Sequence, residues 1–267
     1  MGPLTTPRFS RKALGELAAE LLLLASAVPL YYLVRGLTHE RVAVAFENAA
    51  DLIQLEKSMG LFWEEQLQDA ILPHGWLVDA VNGMYLYGHL PLVLAVAVWL
   101  YFWHRPQYLL MRNAFLVSGA MGLVVYATFP VAPPRFMAEL GFTDTVFSQY
   151  GVSRVANPAF LRNEYAAVPS LHFGWNVLAA VALWLASGNP AIRSFAMLVP
   201  AATFAAIVLT ANHFVLDAAA GLLAIAIGMA AALAFRALVV RYRSRRPPAS
   251  AAPGWVSWLG GVAPAGR

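Results

Sequence analysis

The chain has 267 residues, of which 60% are hydrophobic and 12% charged; soluble domains carry about 25% charged residues, so an ordinary soluble domain is excluded. The absence of cysteine excludes a disulfide framework and a thiolate metal site. The formal net charge is +4, but the basic residues flank apolar segments instead of lining one polar face, which argues against a nucleic-acid partner.

Six apolar segments are long enough to cross a bilayer, because about 20 helical residues span a 30 Å hydrocarbon core. They lie near 17–34, 81–103, 113–132, 171–187, 195–212 and 216–238. The pattern predicts an all-α integral membrane protein, a six-transmembrane-helix bundle over residues 14–240. A cleavable signal peptide is the alternative for residues 1–27, but the apolar run continues to Val34 and cleavage would leave five spans.

Arginine and lysine set the predicted orientation, since they concentrate in cytoplasmic loops. Most of the 18 basic residues fall on one side of the six spans, and both termini fall on that side. The prediction is therefore a multi-pass protein of the plasma membrane with two cytoplasmic tails. Residues 1–13 form a short basic tail, and residues 241–267 form a tail that is basic and then rich in Pro, Ala and Gly, a composition typical of disorder.

Two external segments connect the spans. Residues 35–80 form an insert in which apolar and acidic residues alternate at helical spacing, which predicts two amphipathic helices in the interface. The acidic residues fall between the apolar positions, as expected of the polar face of such helices: Glu47, Asp51, Glu56, Glu64, Glu65 and Asp69. A cap over the bundle is favoured over a vestibule for lipid. Residues 133–168 form a second external loop, polar and rich in Pro, Asn and Arg.

The fourth and sixth spans begin with short polar motifs. These are Pro169-Ser170-Leu171-His172 and His213-Phe214-Val215-Leu216-Asp217. The predicted topology places His172, His213 and Asp217 at the same outer face, together with Arg135, which follows the third span. His213 and Asp217 are spaced i,i+4, which puts them on one face of a helix. Ionisable residues this close to hydrocarbon are candidates for function.

These residue types suit phosphoryl transfer without a metal or a cofactor. Asp217 would accept a hydrogen bond from one ring nitrogen of His213, which leaves the other nitrogen free as a nucleophile. His172 would protonate the leaving alkoxide and later deprotonate the incoming hydroxyl. Arg135 would bind the phosphate oxygens with its guanidinium. The backbone N–H groups of Ser170 and Leu171, at a helix start, would assist it.

Other polar residues allow other interpretations. Arg162 and Asp144 of the second external loop are candidate headgroup contacts, although solvated loop charges are the simpler interpretation. His89 lies mid-span, where packing in the bundle is favoured over catalysis. The two histidines and Asp217 could instead form a metal site or a proton relay in a transporter. A transporter is disfavoured because no pair of interrupted helices occupies corresponding halves of the chain.

The two motifs resemble the second and third motifs of the type 2 phosphatidic acid phosphatase superfamily. The resemblance is nearest to its inositolphosphotransferase-like branch, which includes inositol phosphorylceramide synthases. Three further segments resemble that branch: Ala132-Pro133-Pro134-Arg135, Thr210-Ala211-Asn212-His213 and Leu55-Glu56-Lys57-Ser58-Met59-Gly60-Leu61-Phe62. The resemblance covers roughly residues 20–235.

The resemblance implies six spans and a metal-independent phosphohistidine mechanism, with His213 as nucleophile, His172 as acid and base, and Asp217 as the residue that orients the nucleophile. The chain departs from the superfamily pattern in lacking the Lys and Arg-Pro of its first motif. Ala206 and Ile207 stand where the third motif begins with Ser-Arg. The expected activity is transfer of a phosphorylated headgroup, inositol-phosphate-like, from a lipid to a hydroxyl acceptor at an extracytoplasmic site. A lipid phosphatase is the alternative; oligomeric state is not predicted.

Overall fold

The computed structural model describes residues 11–26, 29–30, 41–146 and 164–244. Within these residues the secondary structure is helical and contains no strand, so the predicted all-α class is confirmed. The described helices are α1 (Arg11–Ala25), α2 (Val42–Met59), α3 (Glu64–Ile71), α4 (Gly75–Tyr87), α5 (Leu90–Trp103), α6 (Arg105–Thr128), α7 (Leu171–Ala186), α8 (Pro190–Leu209) and α9 (Val215–Ser244). Two 3₁₀ turns, Pro134–Phe136 and Ala138–Leu140, follow α6.

Three of the described helices are long and apolar enough to cross a membrane: α6, α8 and α9 over Val215–Tyr242. Helices α4 and α5 qualify together as a fourth span, but they meet at a bend of 46°. Helix α7 is apolar but has only 16 residues. The described residues thus support three spans, or four with the bent pair, and six spans stay a prediction.

Two predicted spans differ from the observed helices. The segment near 81–103 is broken between α4 and α5, where Gly88 ends one helix and His89 precedes the next. Helix α6 begins at Arg105 and not near 113, because the arginines in its first turns form ion pairs with Glu20 of α1. Proline stands in the first turn of α5, α6 and α8, where the missing N–H costs no hydrogen bond.

A buried ion pair joins α1 to α6. The side chains of Glu20 and Arg112 are 2% and 1% exposed, and Arg112 Nη1 lies 2.7 Å from Glu20 Oε1. The Tyr108 hydroxyl donates to Glu20 Oε2 at 3.0 Å. A buried charge needs such compensation, since removing it from water is costly. The pair therefore fixes α1 against α6.

Glycine lets the backbones of α7 and α9 come into contact. A Cβ atom at Gly221 of α9 would lie 2.4 Å from the Ser170 carbonyl oxygen, at the start of α7. A Cβ at Gly228 would lie 2.6 Å from the Ala114 carbonyl oxygen of α6. Small residues at helix contacts are the usual means of close packing in membranes. This approach brings the two polar motifs together.

The described part of the external insert is helical, as predicted, but it contains the start of α4 at Gly75 besides α2 and α3. Helices α2 and α3 pack on the loops that carry the motifs. Ala45, Ala49 and Ile53 of α2 belong to an apolar cluster with residues of those loops, among them Ala167 and Phe214. The prediction that Glu56 and Glu64 lie on a polar outer face is wrong. Both side chains are fully buried, because each accepts a hydrogen bond from a backbone N–H at the start of α9.

Candidate active site

A cavity of about 410 Å³ lies where α4, α6, α7 and the turn between α8 and α9 meet. Its polar lining includes His89, Arg135, His172 and His213. Apolar and aromatic side chains supply much of the remaining wall, among them Phe115, Leu116, Leu123, Tyr126, Leu171 and Trp175. Such a cavity can hold a charged group beside an apolar chain.

His213 lies in the turn before α9, not on the helix itself as its spacing from Asp217 suggested. Its Nδ1 atom is 2.9 Å from the Ala167 carbonyl oxygen and 3.1 Å from Asp217 Oδ2. Both neighbours are hydrogen-bond acceptors when Asp217 is ionised, so Nδ1 carries the proton of a neutral ring. Nε2 is then the unprotonated nitrogen of a residue that lines the cavity.

The backbone of this turn is constrained. Ala211 has φ +53°, in the left-handed region that residues with a Cβ rarely occupy. Asp217 Oδ2 also accepts a hydrogen bond from the N–H of Phe214 at 2.9 Å. Strained backbone of this kind is found where a side chain must be aimed. The turn thereby fixes the His213 ring.

His172 lies in the first turn of α7, as predicted. Ser170 caps that helix, since its hydroxyl oxygen accepts from the Phe173 N–H at 3.4 Å. The rings of His172 and His213 have centroids 5.9 Å apart, and Tyr85 stacks on His172 at 5.1 Å. Two imidazoles, one from the first turn of α7 and one from the turn before α9, thus face one cavity.

Sequence reasoning assigned His89 to bundle packing, but the structure places it on the cavity wall beside His172, with ring centroids 4.6 Å apart. His89 Nδ1 lies 3.4 Å from Asn176 Oδ1, and Asn176 donates to the Thr203 hydroxyl at 2.6 Å. The helix break at Gly88 was the signal in the sequence that could have located it.

Arg135 reaches the site from the 3₁₀ turn after α6. Its backbone N–H donates to the Ala211 carbonyl oxygen at 2.8 Å, and its Nη1 donates to Asn212 Oδ1. Its Nε lies 3.9 Å from Asp144 Oδ2, and its guanidinium stacks on Phe136. The predicted cation therefore stands next to the His213 turn, and Asn212, which sequence reasoning missed, holds it there.

The remaining predicted contacts have different outcomes. The Ser170 N–H donates to the Asp217 carbonyl oxygen at 2.9 Å, and phosphate binding by Ser170 stays a prediction. Leu171 lines the cavity, and phosphate binding by its N–H stays a prediction. Asp144 pairs with Arg135 at the site's edge. Arg162 lies outside the described residues.

Among the residues that the structure describes, no three His, Asp or Glu side chains are arranged to hold a metal ion. Asp217 directs its Oδ2 at Nδ1 of His213, and so it orients that ring instead of joining it as a ligand.

Two comparisons with known proteins give a match. A family model described as "PAP2 superfamily" matches residues 50–232. A phosphoinositol dihydroceramide synthase of Bacteroides thetaiotaomicron is 25% identical over 164 residues, which cover 56% of this chain and 54% of that protein. The chain thus spans about half the length of this curated relative. No solved structure matches the chain.

Proposed function

The chain belongs to the PAP2 superfamily, and on this basis we propose that it is a membrane lipid phosphotransferase that acts through a phosphohistidine at His213. The observation that carries the proposal is the position of His213 Nδ1 between two acceptors, which leaves Nε2 as the nucleophile. His172 and Arg135 line the same cavity, so an acid and a cation stand near the nucleophile.

In the first step, His213 Nε2 attacks the phosphorus of a lipid phosphate ester in line with the leaving oxygen. The P–N bond forms while the P–O bond to the leaving alkoxide breaks, and His172 gives that alkoxide a proton. Arg135 compensates the negative charge on the phosphoryl oxygens. Asp217 and the Ala167 carbonyl retain the Nδ1 proton, so the ring becomes a positively charged phosphohistidine.

In the second step, His172, now neutral, takes the proton of an acceptor hydroxyl. The acceptor oxygen attacks the phosphorus, the P–N bond breaks, and His213 returns to its neutral form. His172 regains the proton that it gave in the first step. The same two groups therefore serve both halves of the reaction, as microscopic reversibility requires.

The acceptor decides between a transferase and a phosphatase. An alcohol or lipid hydroxyl gives a headgroup transferase, whereas water gives a phosphatase. The largely apolar wall of the cavity supports the transferase, because it disfavours water and suits a lipid acceptor. The name of the Bacteroides relative supports an inositol-phosphate-like headgroup and a ceramide-type acceptor. A lipid phosphatase of the same superfamily is the second candidate.

The membrane arrangement is part of the proposal. Six spans, two cytoplasmic termini and an extracytoplasmic site in the plasma membrane fit the distribution of basic residues. Helices α2 and α3 would then lie at the outer interface, as a cap over the site. The distances within the site do not depend on this arrangement.

A labelling experiment tests the proposal. Purified protein in lipid vesicles is given a lipid donor labelled at its phosphate together with a ceramide-type alcohol. We expect a new labelled lipid, a labelled protein intermediate, and loss of both by at least about 10³-fold in His213→Ala. His74→Ala, at an exposed histidine, serves as the matched control. A labelled water-soluble product without new lipid, phosphate from a monoester or a phosphorylated headgroup from a diester, would make the protein a hydrolase, and no turnover of any donor would refute both activities.

A further inference from the structure

Two buried carboxyl groups lie directly behind the proposed nucleophile. Glu56 is near the end of α2 and Glu64 begins α3, and the chain between them turns at Gly60, whose φ of +68° suits glycine. This short turn brings the two carboxyls side by side. Both side chains are 0% exposed, although glutamate is almost never fully buried unless it is paired.

Each carboxyl is bound to the start of the helix that carries Asp217. Glu64 Oε1 accepts from the Val215 N–H, and Glu56 Oε1 accepts from the Leu216 N–H, both at 2.7 Å. The preceding N–H, of Phe214, is bound by Asp217 itself. Three consecutive backbone N–H groups are therefore held by three carboxyl groups, which fixes the first turn of α9 and suits the positive end of its dipole.

The negative charges of Glu56, Glu64 and Asp217 would repel one another in this buried space unless one of the carboxyls is protonated. Burial, together with the charge of the neighbouring Glu64, raises the pKa of Glu56 to about 8; burial raises the pKa of Glu64 as well. Asp217 is the other carboxyl that faces the pair, and beyond it stands His213. Among the described residues, Oε2 of each glutamate has no acceptor or donor other than its neighbour. One proton shared between the two carboxyls satisfies these oxygens, as in other pairs of adjacent carboxyls.

We propose that Glu56 and Glu64 act together as positioning residues for the pair of Asp217 and His213, with one proton shared between them. With that proton, the pair accepts from both N–H groups of α9 and carries a single negative charge. Without it, two anions and Asp217 repel one another in a buried space, the first turn of α9 loosens, and Asp217 no longer holds His213. The kinetic consequence rests on the proposed function.

The first test compares two substitutions at one position. In Glu56→Gln the amide accepts from Leu216 with its oxygen and donates to Glu64 with its nitrogen, so it resembles a carboxyl that cannot lose its proton. Glu56→Ala removes both interactions. We expect the kcat of the wild type to fall above about pH 8, and this fall to move to higher pH in Glu56→Gln. In Glu56→Ala we expect kcat to be at least tenfold lower than in the wild type at every pH.

The controls separate positioning from general damage. Asp51→Asn changes an exposed carboxyl on the same helix and should leave the pH profile of kcat unchanged. Counting the phosphorylated enzyme in a single turnover corrects each kcat for the fraction of folded protein. If the pH profile of kcat in Glu56→Gln coincides with that of the wild type, the shared proton is refuted. If the corrected kcat of Glu56→Ala equals that of the wild type, the positioning role is refuted.

A second test does not need turnover. Infrared spectra of the protein in lipid vesicles at neutral pH should show the carbonyl stretch of a buried protonated carboxyl, which disappears near pH 8 and is absent from Glu56→Gln. If this band is present while no donor is turned over, the proposed function is refuted, but the proton shared between Glu56 and Glu64 is supported. If the enzyme is active and the two spectra do not differ, the shared proton fails and the function stands.

Discussion

At the scale of the residue, the chemistry depends on which nitrogen of His213 carries a proton. Nδ1 faces the Ala167 carbonyl and Asp217 Oδ2, and the first of these can only accept. The i,i+4 spacing predicted the pair of His213 and Asp217 from the sequence. The Ala167 carbonyl was not predictable, because a backbone atom 46 residues away leaves no pattern in the sequence.

Asp217→Asn tests this tautomer. An amide that turns its NH₂ group toward Nδ1 favours a ring with the proton on Nε2, which cannot attack phosphorus. We expect kcat to fall on the order of 10³-fold, while the Ala167 carbonyl still holds part of the population in the productive form. Single-turnover kinetics of the phosphoenzyme measure the effect. A loss below tenfold would mean that Asp217 does not control the tautomer.

The raised pKa of Glu56 also affects stability. In the unfolded chain this carboxyl loses its proton near pH 4.5, whereas in the folded protein it keeps the proton until about pH 8. Between these values the unfolded state binds fewer protons, so the free energy of unfolding falls as the pH rises and levels off above pH 8. Melting temperatures across this range should decline less steeply in Glu56→Gln than in the wild type. Equal slopes would contradict the raised pKa.

At the scale of the element, the site depends on how closely α7 approaches α9. The start of α7 was predictable, because Ser170 after a proline is a typical N-cap. The break between α4 and α5 was missed because the mean hydropathy of the segment stays high, although Gly88 itself was a signal for it. The early start of α6 was missed for the opposite reason: its arginines lower the hydropathy, and their partner Glu20 lies far away in the sequence.

Gly221→Ala tests the approach of these helices. Its Cβ would lie 2.4 Å from the Ser170 carbonyl oxygen, a backbone atom that moves only if α7 moves. We expect at least a tenfold loss of kcat and a loss of about 1–3 kcal/mol in the free energy of unfolding. Gly83→Ala, also in a helix, is the control, because its Cβ would meet nothing within 4 Å. Wild-type activity in Gly221→Ala would show that the spacing of α7 and α9 does not matter.

At the scale of the whole molecule, the buried glutamates show where sequence reasoning stops. The amphipathic pattern of residues 35–80 correctly predicted helices, but a periodic pattern does not distinguish a carboxyl in water from one that caps another helix. Glu56 lies on the same buried side of α2 as Ala45, Ala49 and Ile53, and Glu64 lies on the buried side of α3; both carboxyls face the start of α9. The insert is therefore part of the site's support.

The chain contains no cysteine, so a single introduced thiol can report the orientation of the molecule. Ser58 is exposed at the end of α2, on the side of the site. Gly188 is exposed just after α7, whose last residue Ala186 lies about 21 Å along the helix from His172. We expect an impermeant maleimide to label Ser58→Cys in right-side-out vesicles and Gly188→Cys only in inverted ones. Labelling of both from one side would contradict the proposed topology.

The ion pair between Glu20 and Arg112 has a consequence for biogenesis. Helix α1 leaves the ribosome well before α6, and in the interval its carboxylate has no cation to accompany it into hydrocarbon. Helix α1 is therefore expected to wait at the membrane surface until Arg112 follows. Nascent chains arrested before Arg112 should leave α1 open to added protease, and longer ones should protect it.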